Sequence, residues 1–469
     1  MVSAEKGLPD SFDPKTGRNV RWSARLGTRG FASPVIAGGK VFLGTNNEHP
    51  RDEKHQGDRG VLMCFEEASG RFLWQLVAPK LEEDMFHDWP QAGMCSPPTV
   101  EGGRVYMATN RDEIVCLDID AMANGNDGPV TDEGRRMSPA DQPPLTPGPT
   151  DADILWATDL RKTVGVRPHD SVHASPLIDG PFLYVNTNNG LNSKHTGVEK
   201  PNAPSLVVLD KQTGQLLAQD EEAIGPRVFH STWSPPALVE VDGQRQVVFA
   251  GGDGVVYGFA ALLHEDRDRL CGAAEPQRLE LLWKFDCDPT APKENVHQYI
   301  RNRRESPSNI KSTPVIHNGR VYVTAGGDIW WGKRQSWLTC FRPGGTGDIT
   351  RSNLAWSFEM KTHCCSTPSV AGGLVYVADC RGNVHCLDAN TGELQWTHDA
   401  GGEMWSSTLV ADGKIYIGTR RGVFWILSAG KEKRVLCSVE LDDPIISTCA
   451  AANGAVYFAT YARLYALAR

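Results

Sequence analysis

No stretch of this sequence approaches the roughly 20 consecutive apolar residues of a transmembrane helix, so no segment is expected to span a bilayer that way. A basic block is also missing: 48 Lys and Arg stand against 57 Asp and Glu, a formal net charge of -9. Nucleic acid and anionic membranes, which are held by clustered cations, are thereby excluded as main partners. The 12 Cys contain no C-x-x-C pair and no C-x-x-C-H haem site. The N-terminus MVSAEKGLPDSFDPKTG has neither the charged n-region nor the apolar h-region of a signal peptide. The 47 Gly and 30 Pro are spread along the chain and 40% of residues are hydrophobic, so a collagen-like or disordered chain is not expected either.

What the sequence does contain is a repeat. Segments beginning at Ser33, Ser96, Ser175, Ser234, Ser312, Ser366, Ser406 and Ser447 share one layout: a short apolar strand, a turn usually with Gly, and an alternating Val/Tyr/Ile strand, as in STPSVAGGLVYVAD. This is a hairpin signature. Most copies continue into a third strand ending near Asp or Glu, a turn, and a fourth strand often centred on Trp, as in VHCLDANTGELQW at 384–396. Four antiparallel strands per copy make one propeller blade. The anchor serines are spaced by 63, 79, 59, 78, 54, 40 and 41 residues, so the last copies are near the bare repeat and the earlier ones carry insertions.

The eighth copy has three strands before the chain stops at 462–469, while an orphan Trp strand, NVRWSARL at 19–26, precedes the first anchor. Pairing the two completes the last blade and hides exposed edges. The expectation is an all-β, eight-bladed β-propeller over residues 1–469, one domain closed by the N-terminal strand. Trp22, Trp74, Trp156, Trp283, Trp356 and Trp396 fall in fourth strands and are expected to pack between blades.

Most long insertions belong to two loop types that emerge on the same face of a propeller: 46–58, 75–95, 157–174, 188–204, 219–233, 284–311 and 326–336. Loops on a rigid scaffold concentrate binding and catalysis. Nine of the 13 His lie on this face or at its strand entrances: His49, His55, His87, His169, His173, His195, His230, His297 and His363. Residues just before each first strand are expected to ring a central funnel suited to a small molecule. They include Arg29, Met94, Cys95, His173, Trp233, Lys311, His363, Cys364, Cys365 and Trp405. The acidic insertion at 118–134 fails the calcium-loop template, with Ala123 and Pro129 where Gly and Glu are required, and reads as an Asx-rich turn. No metal site is assigned.

Cys364-Cys365 is the most unusual dipeptide. Adjacent Cα atoms are about 3.8 Å apart, below the roughly 4.4–6.8 Å of ordinary disulfides, so a bridge between them would store strain of the kind found at functional sites. Three readings stand open: a vicinal redox pair, a soft-metal site with His363, or two structural thiols. Cys64, Cys116, Cys340 and Cys386 recur at one third-strand position and read as small core residues.

The D-x-x-T-G-x-x-x-W motif from Asp388 to Trp396, its looser form at 65–74 and the S-x-P-x-x-x-G-x-V-Y hairpin resemble the pyrroloquinoline quinone (PQQ) type propeller repeat. GDRGVLMCF (57–65), VEGGRVYMATNRDEIVCLD (100–118), PNAPSLVVLDKQTG (201–214) and GKEKRVL (430–436) resemble more closely the PQQ-like propellers of planctomycetes. The resemblance implies an exported, periplasmic or otherwise extracytoplasmic protein whose signal segment lies outside this chain, and a monomer. It implies either a cofactor-free propeller whose loop-rich face binds a small molecule or protein, or a PQQ-dependent dehydrogenase acting on an alcohol or sugar with PQQ and calcium. Cofactor contacts would then fall to His363, Cys364, Cys365, Trp405, Trp233, Lys311, His173 and Arg29. Asp88, Asp170, Asp328 and Asp443 are the candidates for calcium ligand and base.

Overall fold

Second strands of the repeat, such as LVYVA and AVYFA, are apolar on both faces, which suits a strand covered on both sides. In the computed structural model, which describes residues 1–81 and 84–469, Leu374–Ala378 and Ala455–Ala459 are buried at every position. Fourth strands are different. Val20–Arg25 and Leu354–Met360 alternate buried and exposed residues, as expected of outer strands with one wet face.

These strands assemble into eight sheets, each with a core of four antiparallel strands that run in sequence order in seven of them: the fold is an eight-bladed β-propeller. The last blade is Ala450–Ala452, Ala455–Ala459 and Arg463–Leu467 with Val20–Arg25 as its fourth strand, Trp22 pairing with Ala466, so the N-terminal strand completes it. The chain forms two compact units. One holds the blades that begin at Val35–Ala37, Thr99–Glu101, Leu409–Ala411 and Ala450–Ala452; the other holds those that begin at Leu177–Asp179, Ala237–Val241, Val315–His317 and Ser369–Ala371. Helices among the described residues are single turns, and none is long and apolar enough to cross a membrane.

The six fourth-strand Trp are all at most 8% exposed. Trp22, Trp74, Trp156, Trp356 and Trp396 each lie 5.9–6.1 Å, centroid to centroid, from the aromatic of their own blade's second strand: Tyr457, Phe42, Tyr106, Tyr322 and Tyr376. Burying one such ring removes about 200 Å² from water, worth roughly 5 kcal/mol at about 25 cal/mol per Å². Indole N–H groups also tie neighbouring blades: Trp22 donates to Glu67 O, Trp74 to Ile119 O and Trp356 to Ala389 O.

The D-x-x-T-G motif explains the seat. Asp388 Oδ1 accepts the N–H of Asn390 and Thr391, closing the turn. Gly392, at φ +74°, has no room for a Cβ, which would lie 2.6 Å from the Trp356 ring of the preceding blade. Gly70 holds the same relation to Trp22. Six of the eight anchor serines are buried, and Ser447 shows the staple: its Oγ donates to Ala459 O and accepts from Ala459 N, joining the entry of the blade to its second strand.

The seven insertions lie between strands as expected, with a few residues at their ends drawn into the flanking strands. Of the 75–95 insertion, residues 82–83 lie outside the described ones.

Candidate functional site

The second unit gathers its insertions around one buried carboxylate, Asp328, at the end of the long second strand Arg320–Gly327. Its Oδ1 accepts the backbone N–H of Trp330 and Trp331 at 2.9 and 3.0 Å, which fixes the turn that carries both indoles. Its Oδ2 lies 3.1 Å from Lys311 Nζ, accepts from Asn309 Nδ2 at 3.1 Å and sits 3.2 Å from His230 Nδ1. Burial alone would raise this carboxyl, but His230 and Lys311 beside it hold it well below the usual carboxylate range.

An aromatic cage surrounds Lys311. Its ammonium is 4.0 Å from the Trp233 ring centroid and 5.3 Å from that of Trp330, a cation–π arrangement. Trp330 in turn packs edge-on against Trp233 at 5.8 Å and Trp405 at 5.7 Å. Trp330 is 36% exposed, so the cage opens to solvent there.

Beside the cage three imidazoles meet. His169 comes from the 157–174 insertion, His195 from 188–204 and His230 from 219–233. Ring centroids of His169 are 4.7 Å from His230 and 4.9 Å from His195. His195 lies 4.9 Å from Trp331, and His230 lies 5.4 Å from Trp330. The loops are stitched locally: Leu191 N donates to His230 O, and Gly190 admits the His169 side chain, whose Cβ a Gly190 Cβ would approach to 2.6 Å. His195 is at φ +56°, a strained conformation for a non-Gly residue. His169 is pushed well below the ordinary histidine value, first by burial and then by His230 and His195, so it is neutral at pH 7; burial lowers His195 as well.

Of the residues expected at the site, Trp233, Lys311 and Trp405 line this cage. His363 is buried and bonded to the Gly332 backbone, and burial lowers it. The two thiols of Cys364-Cys365 have separate neighbours. Cys364 Sγ lies 3.2 Å from Ala378 O within a blade core, and Cys365 Sγ lies 3.9 Å from Cys380 Sγ; all 12 cysteines are free thiols. Arg29 and His173 belong to the other unit, where the Arg29 carbonyl accepts from Thr45 Oγ1 and His173 Nε2 lies 2.7 Å from Ser171 Oγ.

His169, His195 and His230 appear in the sequence only as three of nine loop histidines, and Trp330-Trp331 without any role. A signal was present in the G-G-D-I-W-W-G stretch at 326–332, where an Asx turn between glycines presents two indoles.

Calcium requires six to eight oxygen ligands, and a tricarboxylate quinone requires cations to meet it. At the cage, Asp328 already serves Lys311, Asn309, His230 and two backbone N–H groups, and Lys311 is neutralised by that contact. Asp88, in the other unit, is held by Lys80, Asn110 and the Leu81 N–H, and Asp170 and Asp443 lie in that unit also. The donor set at the cage, nitrogen-rich with its carboxylate engaged, does not fit the calcium ion that PQQ would bring.

The profile of the outer membrane protein assembly factor BamB family matches residues 10–121 and 347–467. Among solved structures, BamB from Moraxella catarrhalis is 13% identical over 96% of this chain and 97% of its own, with a TM-score of 0.58. The computationally designed Ika8 protein is 11% identical over 94% and 97%, with a TM-score of 0.51. Quinohemoprotein alcohol dehydrogenase from Comamonas testosteroni is 11% identical over 95% and 76%, with a TM-score of 0.44. No curated protein sequence matches this chain. At such identities the likeness to solved structures is one of fold. The family match at residues 10–121 and 347–467, together with the eight blades that span the whole chain, makes this a PQQ-like β-propeller repeat protein.

Proposed function

We propose that this protein is an extracytoplasmic, monomeric binding propeller, with the loop-rich end of its second unit receiving a small molecule or a protein segment. The observation that carries this reading is the pair Trp233 and Trp330 over Lys311, with Trp405 packed on Trp330, beside three imidazoles. It joins flat apolar walls to a few fixed polar groups, the usual make-up of a ligand site. It stands on loops pinned by buried polar contacts, among them the Asp288–Lys333 pair at 2.6 Å that links the 284–311 and 326–336 insertions. The match to an outer-membrane assembly family supports both the extracytoplasmic location and a role in binding.

The competing reading is a PQQ-dependent alcohol or sugar dehydrogenase. Purified protein titrated with PQQ and calcium, followed by absorbance and by dye-linked dehydrogenase activity on alcohols and sugars, separates the two. The binding reading expects no PQQ complex at tens of micromolar, an affinity of about 6 kcal/mol. A bound cofactor spectrum with turnover would overturn it.

A further inference from the structure

We propose that His169, His195 and His230 hold one divalent late first-row transition ion, zinc foremost, with a coordination position left over for water or a ligand donor. One ring nitrogen from each residue lies within 4.8 Å of the other two. Four-coordinate zinc with nitrogens at about 2.0–2.1 Å sets them about 3.3 Å apart, so the nitrogens need to close by at most about 1.5 Å. Each histidine sits on a different insertion, and His195, the partly exposed member, offers the route of entry.

The surroundings are those of a ligand set. His169 Nδ1 lies 2.8 Å from Leu191 O, so the proton sits on Nδ1 and the lone pair on Nε2. His230 Nδ1 lies 3.2 Å from the buried Asp328 Oδ2, the carboxylate–histidine arrangement that orients a metal-binding imidazole and raises its basicity. Three imidazoles favour zinc, copper, nickel or cobalt over calcium and magnesium, which take oxygen ligands. Three protein ligands plus an open position is the composition of zinc sites that bind or activate a further ligand. The ion would sit beside Trp330 and Trp331, within reach of whatever enters the cage.

The other cluster of metal-ligand type among the described residues, Asp52, His55 and Asp151, is different. There Lys54 Nζ already lies 2.5 Å from Asp151 Oδ2 and 3.3 Å from Asp52 Oδ2, so an ammonium takes the place of a cation.

The test uses the whole chain, stripped with chelator and titrated with zinc chloride by calorimetry and with cobalt(II) by visible absorption. Expected are one equivalent bound with micromolar or tighter affinity and the intense cobalt bands of four-coordination. His195→Ala and His230→Ala should each weaken zinc by more than about 100-fold, Asp328→Asn by roughly 10–100-fold, and His55→Ala should leave it unchanged. Should His230→Ala fail to fold, X-ray absorption of the zinc-loaded parent chain decides: imidazole nitrogen in the first shell supports the site, and oxygen-only or sulfur coordination overturns it. Absence of binding below about millimolar zinc, or full binding by His195→Ala, would also overturn it.

Discussion

Among the described residues, each unit has one group of three side chains with metal-ligand chemistry, and the two differ in how their charge is balanced. In the first, Asp151 is fully buried and carries its own cation, Lys54, with His55 Nε2 at 3.5 Å and the Gly148 N–H at 2.7 Å. In the second, the three members are imidazoles, and the nearby carboxylate touches only His230 of the three while holding Lys311 and the Trp330-Trp331 turn. The first is complete without a ligand and stabilises its own loops. The second spends its carboxylate on orientation and keeps nitrogen donors together, an arrangement with more use for a guest than for the fold.

The largest expected effect breaks the first cluster. Asp151→Ala strands Lys54 and His55, and removing one partner of a buried pair costs about 3–5 kcal/mol. The urea midpoint should fall accordingly, with zinc affinity intact. A loss below about 1 kcal/mol would show that the Lys54 pair contributes little to stability, and the contrast would collapse.

Next in size is the effect of zinc on the parent chain. At about 100 times the dissociation constant, a ligand that binds only the folded state stabilises it by about 2.7 kcal/mol. Thermal unfolding should shift upward with zinc in the parent chain and in His55→Ala, and stay fixed in His195→Ala. A shift that survives His195→Ala but disappears in His55→Ala would reverse the roles of the two clusters.

Why the blades were readable and the imidazole cluster was not follows from range. A blade is local: Asp388, Gly392 and Trp396 lie within nine residues, and turn chemistry, alternation and the Trp strand all point to one pairing. Even the closure by Val20–Arg25 was legible, because a Trp strand without a blade and a blade without a fourth strand call for each other. The histidines are separated by 26 and 35 residues on insertions with no periodicity, and contacts such as Leu191 N to His230 O set their meeting. Lys311, Trp233 and Trp405 stand out in the sequence because they sit at a fixed place in the repeat, just before a first strand. Asp328 was singled out by loop position, but its partners come from elsewhere in the chain.

A smaller effect concerns acid. Burial pushes the Asp151 carboxyl up, but His55, Lys54 and the Gly148 N–H outweigh it and the net value is lowered. A carboxyl lower in the folded than in the unfolded chain adds stability in full above the unfolded value, near pH 4, and loses it as pH falls through the folded value. Lys54→Met removes part of that pull, so its acid unfolding, followed by tryptophan fluorescence, should begin at higher pH than that of the parent chain. Identical acid midpoints would show that Lys54 does not hold the carboxylate charged.

The smallest expected effect lies closest to the cage and separates two adjacent thiols. The Cys380 contact pulls the Cys365 thiol down against the opposing effect of burial, and Lys311 contributes in the same direction. Cys364 is pushed up by burial, its sulfur packed on Ala378 O. Because the thiolate is the nucleophile, iodoacetamide should modify Cys365 at least about tenfold faster than Cys364, read by peptide mass spectrometry, and Cys380→Ser should slow Cys365. A vicinal bridge would instead protect both sulfurs until a reductant is added, and would release both together. Faster reaction of Cys365 alone therefore favours a Cys365–Cys380 relation over a Cys364–Cys365 one, and leaves Cys364 to the blade core.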